Sequence, residues 1–329
     1  MKMEIGKLPT EILEKKILSK IQPNRKEILV GAGVGEDCSV IDFGEEVCVL
    51  STDPITGASK GIGKLAIHIS CNDVASNGVE PIAILLTILA PESVSVEEIS
   101  QVIEEAKETA AQLNVEIIGG HTEVSTAVKK MIVSTTCIGK GKKDFMVTSH
   151  GAQVGDDVLM TKWAGLEGSA ILAQDREEEL KRVLPKDLLE EAKRYINHIS
   201  VVEEGILAGS LGVTAMHDVT EGGLLGALWE LAEASKIGIQ IKENLIPVTE
   251  ATQKICEYFK INPLGLISSG VMLITTNKTE KLLSIFRKRG IQVTKIGKVV
   301  QGESGLIKDG KTTPLAPPEA DELFKVINL

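Results

Sequence analysis

The 329-residue sequence predicts an α/β (α+β) chain of two domains, near residues 1–145 and 150–329. Three observations carry that prediction. The length exceeds what a single core ordinarily fills. Strand-like and helix-like segments alternate through both halves. A polar, glycine-containing stretch from Lys140 to Gly155 separates the halves.

In the first half, "SVIDF" and "EVCVLSTD" read as strands split by a turn at Gly44 and Glu45. "GIGKLAIHISCNDVASNG" reads as a helix ending near Gly78, with Ile62, Leu65, Ala66 and Ile69 forming one apolar stripe. "EPIAILLTILAP" is a buried strand. "SVEEISQVIEEAKETAAQLN" is an amphipathic helix capped by Ser95, with Glu98 completing a capping box. "VEIIGG" and "KKMIVSTTCIGKG" are further strands. In the second half, "DDVLMTK", "VTAMHD", "GIQIK", "GVMLITT" and "IQVTKIGKVV" read as strands. "LEGSAILAQD", "EEELKRVL", "PKDLLEEAKRYINH", "VVEEGILAGSLG", "GLLGALWELAEAS" and "KTEKLLSIFRKRG" read as helices.

Composition narrows the function. Hydrophobic residues make up 43% and charged residues 25%, as in an ordinary soluble globular protein. Aromatics are only 3%, so Ile, Val, Leu and Ala build the core, and base-stacking platforms are not expected. A net charge of −10 repels phosphate backbones, which argues against general nucleic-acid binding. No run of 18 uncharged apolar residues occurs, so no membrane span is expected. The start "MKMEIGKLPTEILEKK" has no signal-peptide core, and the five scattered cysteines lack any C-x-x-C, which together point to reduced thiols in the cytoplasm.

The acids are the informative residues. "GAGVGEDCSVIDF" begins as a phosphate loop would, but delivers Glu36 and Asp37 where a lysine is wanted. Asp73 continues the apolar stripe of its helix and falls in the last turn, where the helix dipole disfavours an anion. It either caps a neighbouring backbone or reaches a metal ion. Asp53 follows a strand. In "GGHTEV", Gly119 and Gly120 permit close backbone approach, and His121 and Glu123 project from the strand end. Asp37, Asp53, Asp73 and Glu123 are hard oxygen ligands at element ends of one domain, a set that suits Mg²⁺ joining carboxylates to phosphates. In the second half, "HDVTEGG" places Asp218 before Gly222 and Gly223, whose N–H groups at a helix start suit an anion. Glu36 reads as a surface neighbour. His68 reads as structural, and His150, His198 and His217 read as isolated surface or packing residues.

The strings "GVGEDCSVI", "STDPI", "IGKLAIHISCNDVASNGVEPI", "IIGGHTEV", "GDDVLMTKWAGLEGSAILA", "HDVTEGGLLGALWELAE" and "NPLGLISSG" run in an order that resembles the aminoimidazole-ribonucleotide (AIR) synthetase, or PurM-like, superfamily. The hydrogenase maturation HypE branch and its AIR-synthase-related relatives look most similar. The resemblance implies a PurM-like pair of α/β domains and a homodimer whose N-terminal sheets meet in a barrel. It implies ATP as the nucleotide, with Mg²⁺ held by Asp37, Asp53 and Asp73. Asp73, Asp218 and Glu123 would be catalytic. Gly33, Gly35, Asn72, Gly119, Gly120, His121, Thr122, Gly222 and Gly223 would line the nucleotide, with His121 where many members carry an acid. The implied chemistry is ATP-driven activation of an amide-type oxygen or phosphate transfer. HypE carries its substrate on a cysteine at the extreme C-terminus, whereas this sequence ends "ADELFKVINL" and its last cysteine is Cys256. The expected acceptor is therefore a small molecule or another protein's thiol, such as that of a hydrogenase maturation protein. A catalytically silent nucleotide-binding partner in metallocentre assembly is the alternative. Selenophosphate synthetase fits poorly because no cysteine precedes the glycine loop, and thiamine monophosphate kinase because "ISSGVML" replaces its acidic glycine motif.

Overall fold

The computed structural model describes residues 8, 10–21, 23–56, 60–317 and 320–327. The first half forms a sheet of β1 (Ile28–Val30), β2 (Ser39–Asp42), β3 (Glu46–Ile55), β4 (Glu80–Ala90), β5 (Glu116–Val124) and β6 (Ile132–Lys142). Its order is β1-β2-β3-β6-β4-β5, antiparallel throughout except for the parallel pair β4–β5. Alternation decides which face is covered. Val47, Val49 and Ser51 of β3, Val133, Thr135 and Cys137 of β6, and Ile84, Leu86 and Ile88 of β4 are buried. The helices Ile62–Ser76 and Val96–Gln112 pack together, and the first lies along β3 and β6. The opposite face is open, with Leu85 at 40% and Ile118 at 59% exposure. The expected capping box is present: the Ser95 side chain accepts from Glu98 N, and Glu98 Oε2 accepts from Ser95 N. Strand β5 runs longer than "VEIIGG", so the "GGHTEV" motif lies within a strand and not past its end.

The second sheet contains β7 (Asp157–Thr161), β8 (Ala215–Val219), β9 (Gly238–Lys242), β10 (Val271–Thr276), β11 (Val293–Val300), β12 (Gly305–Lys308) and β13 (Lys311–Pro314). Its order is β13-β12-β9-β11-β7-β10-β8. The β12–β13 hairpin was not expected from the sequence. Strand β8 is an edge strand, yet all five of its residues are buried. The Ile62–Ser76 helix of the first half lies against it.

That helix is not one-sided as its apolar stripe suggests. Thirteen of its residues are buried, because the first sheet, its companion helix and the second half of the chain enclose it. The helix Val202–Leu211 crosses it closely. A Cβ at Gly205 would lie 2.1 Å from the Ala75 carbonyl oxygen, and one at Gly209 would lie 2.6 Å from the Gly78 Cα. The side chain of Asn72 completes the junction. Its Nδ2 donates to the Ile199 carbonyl at 2.8 Å, and its Oδ1 accepts from Val201 N at 2.8 Å. Among the described residues, no helix is long and apolar enough to cross a membrane.

Candidate active site

Four aspartates converge where the two halves meet. Asp73 lies in the last turn of the central helix, Asp53 near the end of β3, Asp218 on β8, and Asp37 on the glycine loop that leads into β2. Ser51, two residues before Asp53, donates its hydroxyl to Asp73 and lies 3.2 Å from Asp53 Oδ2. Burial pushes the Asp73 carboxyl well above the usual range, and the charges of Asp218, Asp53 and Asp37 add to the effect. Burial likewise raises Asp218 to about 7; Asp37 and Asp53 push the same way and His217 opposes. The two halves thus bring together four carboxylates, of which Asp37 and Asp53 disfavour the charges of Asp73 and Asp218.

The expected Mg²⁺ can be tested against these side chains. Asp218 is 1% exposed, and neither of its carboxylate oxygens has a hydrogen-bond partner. A buried carboxylate without donors is costly unless a cation meets it. The surrounding acids are all hard oxygen donors, and the ligand atoms of Asp37, His217 and Asp218 lie within 4.8 Å of one another. The residues fit a divalent cation.

His217 corrects the expectation of an isolated packing residue. Its Nδ1 lies 3.1 Å from Asp37 Oδ2 and its Nε2 lies 3.1 Å from Glu230 Oε2. Carboxylates only accept hydrogen bonds, so both ring nitrogens donate and the ring is an imidazolium. Burial alone would lower its pKa, but Asp37 and Glu230 outweigh that and hold it well above the ordinary value. With both nitrogens meeting carboxylates, His217 braces Asp37 and would not itself hold a cation. Its signal in the sequence was faint: a histidine beside an aspartate in an otherwise apolar strand. Glu36 is also more than a surface neighbour, since His150 Nδ1 meets its Oε1 at 2.7 Å. His68 is buried as expected, and burial with the charges of Lys64 and Lys162 lowers its pKa to about 3.

Several residues expected at the nucleotide are engaged elsewhere. Asn72 is fully buried, and its amide is committed to the Ile199 and Val201 backbone. The N–H of Gly222 donates to Asp321 Oδ2 at 2.7 Å, and that of Gly223 to the Thr220 carbonyl at 3.1 Å. The anion site expected there is filled by the chain's own carboxylate, which also accepts from Ile267 and Leu323. Gly35 has φ +74°, and a Cβ there would lie 3.1 Å from the Glu230 carbonyl oxygen. Its glycine therefore serves the packing of the loop on the Gly223–Ser235 helix. Gly33 bridges to Glu36 within the same loop.

Gly119, Gly120, His121, Thr122 and Glu123 lie on the edge strand β5, three strands from β3. His121 and Glu123 pair with each other at 3.2 Å and are 64% and 54% exposed. Within one chain they are not brought to the four aspartates. A separate cavity of about 950 Å³, lined in part by Thr56, Lys60, Glu105 and Lys130, opens past the end of β3.

Comparison with known proteins agrees with this architecture. Residues 35–140 match the AIR synthase related protein N-terminal domain, and residues 153–309 match the C-terminal domain of the same family. A hydrogenase expression/formation protein of Methanocaldococcus jannaschii is 29% identical over 311 residues, covering 92% of this chain and 90% of that protein. Carbamoyl dehydratase HypE of Escherichia coli K12 is 28% identical over 286 residues, covering 83% and 81%. Two solved HypE structures share the fold. One, a HypE–HypF complex, has a TM-score of 0.76 at 22% identity and covers 93% of this chain and 99% of that one. The other, HypE in complex with ATP, has a TM-score of 0.68 at 20% identity and covers 95% of each.

Proposed function

The chain belongs to the AIR synthase related family, and on that footing we propose that it is an ATP-dependent enzyme of the carbamoyl-dehydratase kind, acting in hydrogenase maturation. In such a reaction an amide-type oxygen attacks the γ-phosphorus of ATP and ADP leaves. Phosphate then departs with that oxygen and the two N–H protons are lost, leaving a nitrile. Relatives named carbamoyl dehydratase support this reading.

The observation that carries it is the convergence of four aspartates from both halves around the unpartnered oxygens of Asp218. Asp37, Asp53, Asp73 and Asp218 would hold Mg²⁺ against the polyphosphate. A bound Mg²⁺ supplies positive charge to offset that gathered on the transferring phosphoryl group. Ser51 orients Asp73, and the burial of Asp73 and Asp218 excludes competing water. Among the described residues no cysteine is exposed, and the acceptor would come from another molecule. Cys38, Cys71, Cys137 and Cys256 are buried and Cys48 is half-buried. Burial also pushes the Cys256 thiol to about 12. A partner maturation protein presenting a carbamoylated thiol fits this need, and a HypE of the same fold has been solved in complex with HypF.

The open face of the first sheet would pair with its copy in a barrel-like homodimer. That arrangement gives Glu123, His121, Thr122, Gly119 and Gly120 a role at the nucleotide of the second copy, since they are exposed on an edge strand remote from their own chain's acids. The test is ADP release from ATP with a carbamoylated thiol acceptor, measured with and without Mg²⁺. Turnover that needs Mg²⁺ and vanishes in Asp73→Asn is expected. Undiminished turnover in Asp73→Asn would remove the assignment.

A further inference from the structure

Three consecutive residues of the glycine loop are fastened to the second half of the chain. Gly35 lies against the Glu230 carbonyl and the Ala234 Cβ of the Gly223–Ser235 helix. Glu36 pairs with His150. Asp37 pairs with His217, which Glu230 holds from the other side. Glu230 therefore serves twice: its backbone oxygen receives the loop, and its side chain fixes the His217 ring that meets Asp37. Asp37 would be the only cation ligand contributed by a loop, because Asp53, Asp73 and Asp218 sit on β3, the central helix and β8.

We infer that His217, backed by Glu230, is a positioning residue for the divalent-cation site, and that together with the Glu36–His150 pair it sets cation affinity by holding the Asp37 loop docked. The inference rests on the metal reading above. Its physical basis is that a ligand on an undocked loop must be ordered at the moment of binding, which weakens the site. His217 Nδ1 holds Asp37 Oδ2 at 3.1 Å, and the ligand atoms of Asp37 and Asp218 lie within 4.8 Å of each other. An imidazole that orients a ligating carboxylate is a familiar outer partner of metal sites. His150 extends the same effect through Glu36, the residue before Asp37.

Two measurements on the whole protein test this. The first is hydrogen exchange of the amides of residues 31–38 without ligand. The second is the Mg²⁺ concentration giving half-maximal thermal stabilisation at a fixed level of a non-hydrolysable ATP analogue. His150→Ala alters a side chain that is 53% exposed, so folding is not at risk. It is expected to speed loop exchange and to raise the Mg²⁺ requirement several-fold. His217→Ala is expected to raise that requirement by roughly 10- to 100-fold, as for other outer partners of metal ligands. His217→Asn keeps a donor for Asp37 but loses Glu230, and should fall between. If His150→Ala changes neither exchange nor Mg²⁺ requirement, the inference is overturned. A wild-type protein that responds to Mg²⁺ exactly as all three variants do overturns it alone, whereas a wild type indifferent to Mg²⁺ overturns the metal reading and this inference with it.

Discussion

Asp218→Asn is expected to stabilise the metal-free protein and, at the same time, to remove its response to Mg²⁺. The folded, metal-free protein holds the Asp218 carboxyl at about 7, against 3.8 for an unperturbed aspartate. Each step of one in pKa is worth about 1.4 kcal/mol, so keeping this group ionised costs on the order of 4 kcal/mol at neutral pH and above. Asparagine removes the charge but keeps an amide with the same want of partners, so roughly 1–3 kcal/mol should be recovered. Between the unfolded and folded values the folded state holds a proton that the unfolded chain releases. The wild type's stability therefore falls as pH rises from about 4 to about 7 and levels off beyond. The advantage of Asp218→Asn should accordingly be larger at high pH than at low pH. Thermal melts at both ends of that range, with and without Mg²⁺ and a non-hydrolysable ATP analogue, measure all of this. A variant less stable than the wild type without metal, or one stabilised by Mg²⁺ as strongly as the wild type, would refute the reasoning.

Two further outcomes follow from the fold. Asn72→Ala leaves the Ile199 carbonyl and Val201 N–H buried and unpaired. It should cost roughly 2–6 kcal/mol in a urea titration, at about 1–3 kcal/mol for each of the two buried groups. Ile118→Lys places a charge on the open face of the first sheet, where Ile118 is 59% exposed. It should leave circular dichroism unchanged while shifting sedimentation from the proposed dimer to monomer and lowering ATP turnover.

Much of the fold was legible because local signals and tertiary packing agree. Ser95 and Glu98 announce a helix start that the structure realises through both reciprocal bonds. Asp73, an acid at an apolar helical position, does lie among other acids. The same reasoning failed for Asn72. Its neighbour in sequence points to the site, but its amide fits the Ile199–Val201 backbone of the other half, and no local pattern reports that partner. Gly222 and Gly223 failed for a similar reason. A glycine pair at a helix start signals exposed donors, but Asp321 fills the Gly222 donor from about 100 residues further on. His217 was missed because its partner Asp37 lies in the other half of the sequence, and Glu230 lies 13 residues on, across a glycine turn. The sequence displays which residues are chemically unusual; only the junction between the halves reveals which of them meet.

The enclosure of the Ile62–Ser76 helix also bears on synthesis. The ribosome delivers this helix and the first sheet well before the Val202–Leu211 helix and β8, which cover its remaining side. Until then the nascent chain carries a helix with an uncovered apolar flank around Ala75, and an acid, Asp73, that β3 meets but β8 does not yet cover. A ribosome-bound first half should therefore be an adhesive intermediate, one that holdase chaperones would recognise. Glycines at positions 205 and 209 then do more than permit a tight crossing: they let the late-arriving helix close over that flank without forcing the early one to move.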